Sequence, residues 1–222
     1  MSRCIQPRGT RGSLKWIQQA VNSHPHVLDS AILPRLQGAK SISWLSPLAE
    51  DAFAEYRDGD FLKRVGIARL VGDLAEFWPR HGPQWDALAT SDRADVLLIE
   101  AKAHVDEICS PGTAARAMSR RRIEDSLART ATAMKADPKA AWTGAFYQLA
   151  NRFAHLRFLR SRGIKAWLVL VSFVGDADMR GPASQQEWEA AYRIVLHVMG
   201  IRQSTPLLRH VLYVFPDVAE IR

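Results

Sequence analysis

The chain has 222 residues, of which 47% are hydrophobic and 24% charged, so it can bury one substantial core. No apolar run approaches the roughly 20 residues that cross a bilayer, and the amino terminus has no signal-peptide pattern, which predicts a cytoplasmic protein without a membrane partner. Two cysteines are too few for a disulfide framework or a thiolate zinc site, and the formal charge of +7 suits a polyanionic partner without requiring one.

The first third of the chain has mainly helical patterns. Residues 1–12 are polar and basic, and we expect them to be loose. A helical pattern follows over residues 13–33, and residues 42–45 suggest a short strand. Ser-Pro then marks the start of a helix over residues 47–56, with proline at the first helical position. A further helix is predicted over residues 61–77, with a break at its internal glycine.

The rest of the chain alternates between strands and helices. Residues 96–103 form the clearest strand, because their four apolar residues in a row suggest burial on both faces. The alternation predicts an α/β fold, with a central mixed β-sheet flanked by helices. We place an N-terminal helical extension at 1–45 and the α/β domain at 46–222. The remaining predictions are strands over 85–89, 166–174 and 210–215 and helices over 113–135, 142–161 and 187–199.

Two charged residues, Glu100 and Lys102, stand near the end of the buried strand over residues 96–103. Side chains alternate between the two faces of a strand, so Glu100 and Lys102 share a face with Leu98 and His104. Burying a carboxylate and an ammonium group is costly unless the protein uses them. An ordinary ion pair at a strand end is the alternative explanation.

Asp86 lies on the strand before Glu100. If the two strands form an antiparallel hairpin with Thr90 opposite Val96, Asp86 falls directly across from Glu100, and the two side chains share a face. Any pairing whose residue numbers have an even sum keeps them on one face. An odd sum would place Asp86 on the opposite face, unless a bulge intervenes.

Two carboxylates this close would repel each other unless a cation lay between them. Mg²⁺ suits such a site, because one or two carboxylates, waters and phosphate oxygens usually hold it. Phosphodiester hydrolysis needs a nucleophilic water, a Lewis acid and stabilisation of added negative charge. Asp86 and Glu100 would therefore bind Mg²⁺ (or Mn²⁺), and Lys102 would orient the water or stabilise the transition state.

Asp86 and the run from Glu100 to Lys102 resemble the signature of the PD-(D/E)XK nuclease superfamily, which has a restriction-endonuclease-like fold. The resemblance covers roughly residues 46–175 and implies that Asp86, Glu100 and Lys102 are catalytic. The family's order of helix, three strands, helix and strand agrees in outline with the elements predicted here, although only two of the three strands are placed. The family has a proline directly before its aspartate, whereas this chain has Trp85 before Asp86, which is a departure from the family pattern.

The resemblance also suggests two supporting residues. RecB-type members of the superfamily carry a glutamine on the helix near the metal, which here corresponds to Gln148, as a group contacting the substrate or the lysine. Their tyrosine four positions later is Arg152 in this chain. Family members can also have an acidic residue on the first core helix. Glu55 and Glu76 are candidates for this extra metal ligand; we favour Glu55, and a solvated helix carboxylate is the alternative for each.

Other polar residues are candidates for contacts with nucleic acid. His104 could touch phosphate or shuttle a proton, although a structural role at the strand end is the alternative. Arginines in the predicted helix over 113–135 suit phosphate binding, unless they form only a solvated face. The same choice applies to a polar stripe on the helix over 142–161. The candidate nucleic-acid-binding residues are Arg116, Arg120, Arg121, Arg122, Asn151 and Arg152.

We therefore expect a Mg²⁺-dependent deoxyribonuclease. Its resemblance to restriction-type enzymes leaves a homodimer open, because cutting both strands of a duplex suits two copies. The alternative is a nuclease-like protein without activity that binds nucleic acid or a protein partner. The sequence does not distinguish DNA from RNA, or endonucleolytic from exonucleolytic cleavage.

Overall fold

A computed structural model describes residues 2–221 of the chain. Within that part the strands are β1 (Arg3–Cys4), β2 (Ile42–Ser46), β3 (Glu55–Tyr56), β4 (Ala87–Ser91), β5 (Val96–Lys102), β6 (Ala166–Ser172) and β7 (Val211–Val214). The α-helices are α1 (Gly12–Ser23), α2 (Pro25–Ile32), α3 (Asp58–Arg64), α4 (Val71–Phe77), α5 (Ala117–Ala133), α6 (Tyr147–Arg160) and α7 (Gln185–Val198).

The centre of the fold is a five-stranded mixed sheet in the order β2-β4-β5-β6-β7. Strands β2, β4 and β5 form an antiparallel meander, and β6 and β7 continue the sheet in parallel with β5. Every residue of β5 is buried, as expected for a central strand with neighbours on both edges and helices on both faces. The predicted α/β class, with a mixed sheet flanked by helices, is confirmed.

The helices cover the two faces of the sheet in unequal numbers. The N-terminal helices α1 and α2 are present, as predicted, and pack against the face that carries Leu97 and Ile99. Helices α3 to α7 supply the larger core on the other face, which carries Leu98. Between residues 2 and 221, no helix combines the length and the hydrophobicity needed to cross a membrane.

The strand predicted around residue 44 is present as β2, Ile42–Ser46. A strand was expected over residues 42–45, and β2 pairs there with β4 as an edge strand of the central sheet. This strand therefore crosses position 45, where the boundary between extension and domain was placed. The N-terminal helices share a hydrophobic core with β4, β5, β6 and β7.

The helix predicted over residues 47–56 is wrong. Only Ala49–Asp51 forms a single 3-10 turn, and Ala52 and Phe53 have φ angles of 52° and 51°. A right-handed helix cannot continue through two residues with positive φ. The chain instead leaves the turn as β3, which places Glu55 on a strand.

The expectation that residues 1–12 are loose is also wrong for residues 2–12, and Met1 lies outside the described residues. Strand β1 pairs antiparallel with β3, and the Arg3 guanidinium donates to the Asp51 carboxylate at 2.7 Å. The buried Gln18 side chain donates to the Pro7 carbonyl and accepts from the Gly9 amide. These bonds hold the amino-terminal segment along β3 and α1.

Candidate active site

The β4–β5 hairpin has the register that the site requires. Thr90 pairs with Val96, as the predicted hairpin assumed, and Ala87 pairs with Ile99. The residue numbers in each pair add up to 186, an even number, which keeps Asp86 on the face of Glu100. Asp86 immediately precedes β4, and the same register continued by one residue sets it opposite Glu100. Its Oδ2 accepts a hydrogen bond from the backbone amide of Ala101 at 2.7 Å.

Glu100 lies at the centre of the site. Its side chain is only 3% exposed and points to the sheet face covered by α6. Oε1 accepts a hydrogen bond from Lys102 Nζ at 2.5 Å, and Oε2 accepts one from Arg152 Nε at 2.5 Å. Burial favours the neutral carboxyl group, but the two cations outweigh it and lower the pKa of Glu100.

Lys102 links the strand to helix α6. Its ammonium group donates to Gln148 Oε1 at 3.0 Å as well as to Glu100. Burial lowers the pKa of Lys102, but Glu100 and Asp86 outweigh that effect and raise it, so the side chain is held as a cation. Gln148 thus contacts the candidate lysine, one of the two contacts expected for it.

Glu55 reaches the same cluster from β3. The side chain is buried, and Oε2 accepts hydrogen bonds from Gln84 Nε2 at 2.5 Å and Gln6 Nε2 at 3.0 Å. Burial and the nearby Glu100 carboxylate raise the pKa of Glu55 to about 7. The other acidic candidate, Glu76, is exposed on α4.

The cluster has more carboxylates than cations. Burial, followed by Glu100, raises the pKa of Asp86 well above its ordinary value, and Glu55 adds to the effect. With all groups ionised, the charges are three negative (Glu55, Asp86, Glu100) and two positive (Lys102, Arg152), a balance of −1. Such a cluster stabilises one further cation or, without it, retains a proton.

The donors fit an ion that keeps most of its water. Within residues 2–221, no three His, Cys, Asp or Glu side chains form a group that could hold a metal ion. Mg²⁺ usually needs only one or two carboxylates, together with waters and phosphate oxygens. Asp86 Oδ1 and Glu55 Oε1 accept no hydrogen bond from the described residues, so each has a free oxygen. A cavity of about 10 Å³, lined by Glu100, Lys102 and Gln148 but not by Asp86 or Glu55, has room for about one water.

Asn151 and Arg152 do not lie where phosphate contacts were expected. Both are buried on α6, with exposures of 7% and 3%. Arg152 donates to the Gln84 carbonyl and to Asn151 Oδ1, and its guanidinium lies 4.7 Å from the centre of the Trp85 ring. In this arrangement Arg152 donates to Glu100, and Asn151 accepts a hydrogen bond from Arg152, so these polar atoms are not available at the surface.

The predicted arginines of α5, together with Arg116 immediately before it, are at the surface, as phosphate binding would require. Arg120 pairs with Glu124 at 2.9 Å, and Arg122 donates to the Ala75 carbonyl at 3.0 Å. Arg116 and Arg121 are exposed, without hydrogen-bond or ion-pair partners among the described residues. Their role in binding nucleic acid stays a prediction.

His104 lies beyond the end of β5, beside a local hydrogen-bond network. Its Nε2 is 3.7 Å from Glu107 Oε1, and the other oxygen of Glu107 accepts from the Ala103 amide at 2.5 Å. Ser13 Oγ also donates to Glu107, which ties α1 to this turn. These contacts favour the structural alternative for His104.

Sequence reasoning missed three features of the site. Gln84 precedes Asp86 by two residues, and its spacing on a strand could have placed it on the same face. Arg152 follows Gln148 by one helical turn, which predicts a shared face but not an ion pair with Glu100. Nothing in the sequence indicated that Gln6 would reach Glu55.

No family model, curated protein or solved structure matches the chain. The interpretation of the cluster therefore depends on its own geometry and chemistry.

Proposed function

We propose that the protein is a divalent-metal-dependent nuclease of the PD-(D/E)XK type that hydrolyses phosphodiester bonds, with DNA as its substrate. One observation carries the proposal: Asp86 and Glu100 lie in register across the β4–β5 hairpin, with Lys102 on the same face and in contact with Gln148. If Glu100 and Lys102 formed only an ordinary ion pair at the end of a strand, no second carboxylate such as Asp86 would be needed on the neighbouring strand.

The order of elements supports the proposal. Helices α1 and α2 are followed by the antiparallel strands β2, β4 and β5, then by helices α5 and α6 and the parallel strand β6. With β3, α3 and α4, which lie between β2 and β4, set aside, this order agrees in outline with the helix, three strands, helix and strand of the restriction-endonuclease-like core. Its first helices and first strand start before residue 46, where the resemblance was expected to begin. On this proposal, the third strand of the core, which the resemblance left unplaced, is β2, the strand predicted over residues 42–45.

Each residue of the cluster has a chemical task. Asp86 and Glu100 would hold the divalent ion, with Glu55 as an additional carboxylate. When bound, the ion supplies a Lewis acid for a phosphoryl oxygen and lowers the pKa of a coordinated water. Lys102, fixed by Glu100 and Gln148, donates a hydrogen bond to the attacking water or to the charged phosphoryl group.

The direct test is cleavage of plasmid DNA, linear DNA and RNA with Mg²⁺ or Mn²⁺. We expect Glu100→Gln and Lys102→Met each to reduce cleavage by at least ~100-fold, because each removes a group that acts on the charged transition state. Lys135→Met, which removes an exposed lysine elsewhere, is the matched control. Cleavage that survives both active-site substitutions would refute the assignment.

A second candidate is a nuclease-like protein that binds nucleic acid without cutting it. The observation that favours it is that both oxygens of Glu100 are already paired, with Lys102 and with Arg152. DNA binding without turnover at any concentration of Mg²⁺ or Mn²⁺, combined with no metal binding by calorimetry, would select this candidate.

A further inference from the structure

Arg152 is held inside the carboxylate cluster by contacts on all three of its nitrogens. Nε donates to Glu100 Oε2 at 2.5 Å, Nη2 to the Gln84 carbonyl at 2.7 Å and Nη1 to Asn151 Oδ1 at 3.0 Å. The guanidinium also lies over the Trp85 ring, and the residue is 3% exposed. Few arginines are fixed so completely away from solvent.

We propose that Arg152 is a built-in competitor of the divalent metal, occupying Glu100 Oε2 and keeping the affinity of the empty protein for metal low. The inference rests on the proposed function for the identity of the ion and goes beyond it by assigning Arg152 a task. A metal ion that binds through Glu100 must either share the carboxylate with a fixed positive charge or take Oε2 from it.

The competition follows from charge and burial. A guanidinium stays protonated at any pH that a protein tolerates, so Arg152 cannot release Glu100 by losing a proton. Two cations near one buried carboxylate repel each other more strongly than in water, because the surroundings screen them less. Arg152 also reduces the surplus of carboxylates in the cluster from two to one, which limits how many positive charges the site can accept.

The competition also has a consequence for substrate binding. A phosphodiester brings one negative charge to the cluster, which offsets the repulsion between Arg152 and the metal. We therefore expect the metal to bind more tightly when nucleic acid is present, so that metal and substrate assemble together.

The test is Mn²⁺ binding to the full chain without nucleic acid, followed by electron paramagnetic resonance and calorimetry. We expect Arg152→Gln to bind Mn²⁺ at least about tenfold more tightly than the unmodified protein, because one buried positive charge is removed. Arg152→Lys keeps the charge and should stay close to the unmodified protein. Arg160→Gln makes the same charge change on α6 outside the cluster and should have no effect.

The outcomes separate this inference from the proposed function. If the unmodified protein cuts DNA but Arg152→Gln binds Mn²⁺ no more tightly, the competitor role is refuted and the nuclease stands. If only Arg152→Gln binds Mn²⁺ and the unmodified protein never cuts, the competitor role is supported and the nuclease proposal fails. If neither protein binds Mn²⁺, the competitor role is refuted.

Loss of the Arg152 side chain could also unfold the protein, because Glu100 would lose a buried partner. In that case we expect added Mn²⁺ to restore the folded circular dichroism spectrum of Arg152→Gln, since the metal takes over the neutralisation of Glu100. A variant that stays unfolded at saturating Mn²⁺ would overturn the proposal.

Discussion

Glu55 is a buried carboxyl group in a cluster that already holds two others. Its ordinary pKa is 4.5, and burial together with Glu100 raises the folded-state pKa to about 7. The folded protein therefore holds a proton on Glu55 that the unfolded chain has released over this range. The contribution of Glu55 to stability is complete below pH 4.5 and is lost as the pH rises through about 7.

This argument predicts the behaviour of Glu55→Gln, which removes the titration and retains a side-chain oxygen for Gln6 and Gln84. Relative to the unmodified protein, the variant should gain stability as pH rises from about 4.5 to 8, by about 3 kcal/mol at the upper end. Urea unfolding of both proteins at a series of pH values measures the difference. Glu76→Gln, which changes an exposed carboxylate on α4, should show no such trend.

The difference between the Glu55→Gln variant and the unmodified protein isolates Glu55 from other titrating groups. His155, for example, is buried with its pKa lowered to about 3, and its titration contributes a trend of opposite sign. A stability difference that is the same at every pH would contradict the burial of Glu55 beside the Glu100 carboxylate.

Among the elements, α5 presents the densest group of exposed arginines. Arg116 and Arg121 lack partners among the described residues, so their charges are free to meet phosphates. Each phosphate contact to a duplex releases counterions and steepens the salt dependence of binding by about 0.9 in log–log slope.

We expect the double variant Arg116→Gln/Arg121→Gln to bind duplex DNA more weakly and to reduce the salt slope by up to about 1.8. Fluorescence anisotropy over a range of salt concentrations, with Ca²⁺ in place of Mg²⁺, measures both quantities. Arg69→Gln and Arg202→Gln together make an equal change of charge at exposed positions outside α5. If both double variants behave alike, α5 has no special role.

The elements also show which parts of the fold local patterns could predict. Strand β5 was predictable because an unbroken apolar run is typical of burial on both faces. The side on which Asp86 lies followed only once the register with Thr90 opposite Val96 was assumed, and the structure has that register. The helix assigned to residues 47–56 failed because Ala52 and Phe53 adopt positive φ, a conformation that neither residue type signals. Glu55 lies near Glu100, but on a strand and not on the predicted helix, and its role as a metal ligand stays a prediction.

Arg152 marks the limit of prediction within α6. Its spacing from Gln148 places both on one face of the helix, but an arginine on a polar stripe is ordinarily exposed. It is buried here because Glu100 and the Gln84 carbonyl, both distant in sequence, accept its hydrogen bonds. The pattern of residues along α6 alone cannot predict these partners, because they lie on other parts of the chain.

At the scale of the whole molecule, the N-terminal helices are part of the structure that supports the site. Trp16, Ile17, Leu28 and Ile32 are buried against the sheet face opposite Glu100 and share a core with Leu97. Burial of one such side chain contributes about 1.5–3 kcal/mol before the entropy cost of ordering it, so the loss of all four removes a large part of the core on this face. Strand β2 adds backbone hydrogen bonds along β4.

A fragment comprising residues 46–222 should therefore not fold, because it lacks α1, α2 and nearly all of β2 and exposes the apolar sheet face opposite Glu100. Circular dichroism and hydrogen exchange of the purified fragment measure this. A fragment of residues 12–222 is the matched control. It keeps α1, α2 and the whole central sheet and loses β1 together with the contacts of Arg3, Gln6, Pro7 and Gly9, so it should fold with a lower melting temperature. Cooperative unfolding of the shorter fragment would instead show that residues 46–222 form an independent domain, to which the preceding helices are an appendage.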